Sequence, residues 1–172
     1  GFTTQVNLVL QPTGAGTGNI YIWVTWGNLQ GNWVDFIENP ILSPSNSYYE
    51  SYGVAQSNIL FNDNIYKMWY LGDAGGSNKF VMYAESNDAV IWAKPFTNPV
   101  LYPGIPGSWD DLAVQMGAII FESGSYKLFY SGFSDPYGPW HIGLATSSDG
   151  INWNKHPYPI LYAASGQEFQ NE

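Results

Sequence analysis

The chain has 172 residues, 45% of them hydrophobic and 17% aromatic, enough to build a core and too apolar for a disordered segment. Its formal charge of −9 rests on 14 acidic and five basic residues, all lysines, so no arginine fork exists for phosphate or carboxylate. A nucleic-acid or anionic-membrane partner is thereby disfavoured, and the absence of cysteine excludes a disulfide framework, thiolate metal sites and a thiol nucleophile.

The first residues, GFTTQVNLVLQ, lack the basic start and apolar core of a signal peptide, and any leader is expected to have been removed. No apolar run reaches the roughly 20 residues of a membrane helix. A repeat organises the rest of the sequence. NPIL at 39–42, NPVL at 98–101 and YPIL at 158–161 are spaced by 59 and 60 residues. Inside these intervals ILFNDNIYKMWYLG (59–72) lies beside IIFESGSYKLFYSG (119–132), with Tyr66, Lys67, Tyr70 and Gly72 matched identically. FVMYAESNDAVIWAK (80–94) lies beside HIGLATSSDGINWNK (141–155), sharing Ala84/Ala145, Ser86/Ser147, Asp88/Asp149, Trp92/Trp153 and Lys94/Lys155. The start is a worn copy, with VNLVLQP (6–12) in the YKMWYLG place, and near the end Phe169 takes the place of Tyr49 and Trp109. The expected organisation is one domain over 1–172: a partial repeat at 1–38, full repeats at 39–97 and 98–157, and the start of another at 158–172.

Each full repeat reads as four short strands bounded by Gly, Asn, Asp and Pro; in the first these are Gly53 to Phe61, Tyr66 to Leu71, Phe80 to Glu85 and Val90 to Lys94. No segment keeps a helical period. The fold class is therefore all-β, and a four-stranded antiparallel unit of about 60 residues, repeated, is a β-propeller blade. Propellers use about 4 to 8 blades, so fewer than three complete ones form an incomplete arc. An oligomer, a separate chain or an additional chain segment is expected to close it.

NPVL, YKMWYLG, YKLFYSG and above all IGLATSSDGINWNK resemble the blades of the five-bladed propellers shared by glycoside hydrolase families 43, 32, 62 and 130. The resemblance covers nearly the whole chain and implies a carbohydrate ligand and an extracellular or secreted setting, which few lysines and abundant Asn, Ser, Tyr and Trp also suggest. Glycoside hydrolysis needs an acid and a second carboxylate at a fixed separation. The resemblance implies that these stand at the start of the innermost strands, where AQSNIL (55–60) and QMGAII (115–120) place Ala55 or Gln56 and Gln115 or Met116. An amide neither donates nor withdraws a proton near neutral pH. The expectation is accordingly a carbohydrate-binding or degenerate glycosidase-like propeller, with a fragment of an active hydrolase or phosphorylase, or an assembly protein completed by another chain, as alternatives.

Strand order puts the last-to-first connection and the second-to-third loop at one end, the expected ligand face. It collects the remaining carboxylate candidates for catalysis, Glu50, Asp110 and Asp111, and with them Tyr49, Gln56, Trp109, Gln115, Asp73, Asp135, Trp140 and His141 as candidate ligand-binding residues. Aromatic rings beside carboxylates suit sugars, whose C–H faces pack on rings while hydroxyls donate to acids. No metal site and no cofactor is expected, since His141 and His156 lack metal-ligand spacing and no loop has the dense acids calcium needs. Asp149 is expected to hold its own turn, with Gly150 left-handed and Trp153 between blades.

Overall fold

A computed structural model describes residues 34–163 together with Trp23–Val24. The fold is all-β and antiparallel. A two-stranded sheet joins β1 (Trp23–Val24) to β2 (Val34–Asp35). A three-stranded meander comes next, β3 (Gly53–Asn62), β4 (Ile65–Asp73) and β5 (Lys79–Ser86), preceded by a 3-10 turn at Tyr48–Glu50. A four-stranded meander comes last: β6 (Ala113–Glu122), β7 (Ser125–Phe133), β8 (His141–Ser147) and β9 (Asn154–Lys155). Most of the worn first repeat, and Phe169, lie outside the described residues.

Both tight hairpins need two left-handed residues to match strand twist. Asp63 and Asn64 supply them between β3 and β4, and Ser123 and Gly124 between β6 and β7. Three of the four strands expected in the first full repeat are present within two residues of their expected ends. The fourth, over Val90 to Lys94, is reduced to a single bridge between Glu85 and Ala93. The Val90 and Ile91 N–H groups donate to Asp88 Oδ1, each at 2.8 Å, so the first two residues of the expected strand belong to a turn, as Ile151 and Asn152 do before β9.

The equivalent turn in the last sheet is built as its residues predict. Asp149 Oδ1 accepts from the Ile151 and Asn152 N–H groups at 2.8 Å each, and Gly150 has φ +80°. Partial burial works to raise the Asp149 pKa, but hydrogen bonds from the Asn152 side chain, the Asn152 and Ile151 N–H groups and the Ser147 hydroxyl hold it well below its ordinary value. The Gly150 carbonyl then accepts from the Trp69 indole N–H at 2.7 Å, a bond that crosses from the last sheet to the one before it.

Trp69 sits in the contact between the two meanders. It packs with Leu71, Val81 and Tyr83 of its own sheet against Val114, Met116, Leu128 and Tyr130 of the next. The other face of the same sheet buries Met68, Tyr70, Met82 and Ala84 with Ile41, Leu42 and Val54. Two buried faces explain why Lys67 to Leu71 does not alternate. Polar bonds fix the sheet-to-sheet register: Asn58 Nδ2 donates to the Gly117 carbonyl at 2.8 Å, and Tyr126 Oη accepts from Lys67 Nζ and Asn62 Nδ2. The NPVL motif clips the chain to the preceding sheet, because the Asn98 side chain exchanges two 2.8 Å bonds with the Tyr83 backbone while Leu101 pairs with Val81.

Ala89 occupies the place of Gly150 and has φ +61°, a conformation costly to any residue with a Cβ. Ala89→Gly is expected to stabilise the chain by about 0.5–1 kcal/mol. Gly150→Ala, whose new Cβ would lie 2.6 Å from the Trp69 ring, is expected to lower stability by more than about 1 kcal/mol. Thermal denaturation of both variants beside the parent chain checks the pair.

Candidate functional site

The register places the expected ligand face at one end of each meander. Gly53 pairs with Asp73 and Ala113 with Phe133, so the residues entering β3 and β6 meet those leaving β4 and β7. Both innermost strands carry a β-bulge near this end, between Ala55 and Asn58 and between Met116 and Ala118. The expected catalytic positions fall on or beside the bulges. Gln56 is exposed with φ +43°, and Gln115, half-buried, lies opposite Ser131.

Glu50 and Asp110 are withdrawn from this face. Glu50 is completely buried: its Oε1 accepts from the Tyr70 hydroxyl at 2.5 Å and its Oε2 from Lys94 Nζ and the Ser45 N–H, both at 2.8 Å. Asp110, 2% exposed, repeats the arrangement sixty residues on. Its Oδ2 accepts from the Tyr130 hydroxyl at 2.9 Å and from Lys155 Nζ at 2.6 Å, and its Oδ1 from the Ser108 hydroxyl at 3.2 Å. Each lysine also donates to a backbone carbonyl at 2.6 Å, Ser43 for Lys94 and Tyr102 for Lys155. The Ser108 hydroxyl also lies 2.7 Å from the Ile105 carbonyl, so Asp110 is held chiefly through Oδ2, and both carboxylates are closed to solvent.

Electrostatics agree with an ionised Glu50. Burial works to raise its pKa, but the hydrogen bonds from Lys94, Tyr70 and Ser45 together outweigh it and hold the group below its ordinary value. Burial and the adjacent carboxylate push both tyrosines well above the ordinary phenol, Tyr70 through Glu50 and Tyr130 through Asp110. Such tyrosines donate and stay neutral.

The third carboxylate candidate, Asp111, is placed differently. It lines a cleft of about 580 Å³ with Trp109, Ser108, Ser134, Pro157 and Tyr158. The Trp109 ring stacks on Tyr130, 5.6 Å between centroids and 25° between planes, with its six-membered ring against Gly143 and Gly132. His141 lies 6.4 Å from Trp109 by centroids, and its Nδ1 accepts from the Ala163 N–H. Trp109 and Asp111 are therefore brought together, with His141 behind them.

The other candidates are spread over the face. Tyr49 packs on Phe80 and Tyr102 at 4.9 and 5.9 Å. Asp73 caps its own loop through the Gly75 N–H and pairs with Lys79 at 2.7 Å. Asp135 accepts from the Tyr137 N–H at 2.9 Å in an exposed turn, and Trp140 packs on Phe133 at 4.2 Å. Reading the sequence missed Ser108, Ser134 and Tyr158. Only Tyr158 left a signal, since it replaces the asparagine of the NPxL repeat. Among the described residues no cluster of His, Cys, Asp and Glu could hold a metal ion.

No protein-family model and no curated protein matches the chain. Solved structures do match it. Fructan 1-exohydrolase IIa from Cichorium intybus in complex with 1-kestose aligns at TM-score 0.67 and 19% identity, over 90% of this chain and 30% of that one. Sucrose-6-phosphate hydrolase from Lactobacillus gasseri aligns at 0.67 and 13%, over 91% and 32%. A third structure, of a glycoside hydrolase, aligns at 0.63 and 16%, over 86% and 46%. The chain carries part of a glycosidase-type β-propeller. It spans between 30% and 46% of the length of these three structures. At such identities the likeness is one of fold, and the two meanders are blades of a propeller of this type.

Glu50 has a lowered native pKa, so its contribution to stability is fully present above the unfolded carboxylate value of about 4.3 and is lost as pH falls through the native one. Glu50→Gln is expected to lower stability at pH 7 by about 3–5 kcal/mol, leaving the half-buried Lys94 without its anion, and to flatten the dependence on acid. Urea denaturation of both chains between pH 3 and 7 measures both effects.

Proposed function

We propose that this chain belongs to a propeller that binds carbohydrate and that the blades described contribute no hydrolytic acid. The observation that carries this reading is the pair of bulged inner strands, where Ala55 or Gln56 and Gln115 or Met116 stand at the places expected of catalytic carboxylates while Glu50 and Asp110 are each spent on a lysine and a tyrosine. Asp111, Trp109 and Tyr158 offer the acceptor and rings that a sugar needs. An extracellular setting and residues beyond these blades belong to the same proposal. The last sheet supports the second point: Phe129, Ile142 and Leu144 are half-buried, whereas their equivalents Trp69, Val81 and Tyr83 are at most 1% exposed beneath a neighbouring blade. A further blade, from this protein or another copy, fits that face.

A second reading, part of an active hydrolase or phosphorylase, is favoured by one fact. The chain covers under half of each of the three structures described above, leaving room for acids on other blades.

Under the first reading the chain is expected to bind at least one of arabinan, xylan, fructan or mannan by calorimetry and to release no chromophore from aryl glycosides. Turnover of an aryl glycoside that vanishes in Asp111→Asn would place catalysis on these blades and contradict it.

A further inference from the structure

The cleft beside Asp111 narrows the chemistry of its ligand. Its wall offers two rings, Trp109 and Tyr158, two hydroxyls, Ser108 and Ser134, and one carboxylate. Asp111 Oδ2 accepts from the Gly107 N–H at 2.7 Å. Oδ1 is enclosed and has no donor among the described residues. An acceptor left in that state loses about 1–3 kcal/mol relative to a satisfied one.

Cations are missing from the cleft for a reason that extends over the whole chain. Each of its five lysines is ion-paired: Lys67 with Asp63, Lys79 with Asp73, Lys94 with Glu50, Lys127 with Glu122 and Lys155 with Asp110. There is no arginine, and the net charge is −9. No lysine side chain is left to balance an anion, and the field of the protein opposes its approach.

We infer that the Asp111 cleft binds a neutral, hydroxyl-rich ligand, an uncharged sugar unit, and rejects uronates and sugar phosphates. A ligand hydroxyl donates to the Asp111 carboxylate, the two serines complete the polar contacts, and the C–H face of the ring packs on Tyr158 and Trp109. This specificity rests on the carbohydrate-binding function proposed above.

The test is calorimetry of the full chain at neutral pH with arabino-, xylo-, fructo- and manno-oligosaccharides, and with oligogalacturonides and glucose 6-phosphate as anionic probes. A neutral oligosaccharide is expected to bind and the anionic probes are not. Asp111→Asn, which puts an amide N–H where the acceptor was, and Tyr158→Ala, at a side chain 66% exposed, are each expected to weaken binding about tenfold or more. Both should change the melting temperature little, and Phe96→Ala, outside the cleft, should bind like the parent. Neutral binding that survives both cleft variants overturns the site and leaves carbohydrate binding standing. Tighter binding of either anionic probe overturns the neutral specificity, and silence across all probes overturns the site and the function together.

Discussion

A carboxylate with no water around it needs hydrogen-bond donors and a cation for its charge, and each of the two described blades supplies a tyrosine and a lysine for the purpose. An acid just before the innermost strand, a tyrosine on the second strand and a lysine at the fourth-strand position converge on one point. The lysine continues to a backbone carbonyl in the segment that leads into the blade, at Ser43 or Tyr102. The start, middle and end of a blade are thereby tied in a single buried cluster. Removing the lysine leaves a buried carboxylate without its cation, which is why such a cluster is costly to break even when its net contribution is small.

The cluster also decides which carboxylates the proposed ligand face can offer. It takes Glu50 and Asp110 out of contact with solvent, while the adjacent Asp111, in the turn that precedes β6, lines the cleft. Asp110 holds its blade together while Asp111 lines the cleft. Contacts between blades depend on different atoms: the Trp69 indole on the Gly150 carbonyl, and Lys67 and Asn62 on the Tyr126 hydroxyl. These bonds, with the apolar layer around Trp69, set where one innermost strand lies relative to the next.

Much of this was legible in the sequence. The sixty-residue offset located the meanders, the β-branched and aromatic runs located the strands, and the Asp149–Gly150 turn followed from its residue types. The buried cluster was not legible as a unit, though Tyr70/Tyr130 and Lys94/Lys155 stood out as identities. Its members lie 20 and about 45 residues apart, and the acid changes from glutamate to aspartate, so only the folded meander joins them. Read singly, Glu50 and Asp110 were acids at strand starts, as available for chemistry as Asp111. The fourth strand at Val90 to Lys94 was overestimated because strand propensity takes no account of the N–H groups that Asp88 claims. The cleft drew on Ser134 and Tyr158, which meet Asp111 only across the sheet.

The central claim is that the buried acids hold the blades and do no chemistry, and a double-mutant cycle on Asp110 and Lys155 tests it most directly. Chemical denaturation of Asp110→Asn, Lys155→Met and the combined variant gives the coupling energy. Each single change is predicted to lower stability by about 3–5 kcal/mol, with the pair less costly than the sum by about 1–3 kcal/mol. Single changes that each fall within about 0.5 kcal/mol of the parent, as surface substitutions do, and add without coupling would contradict it.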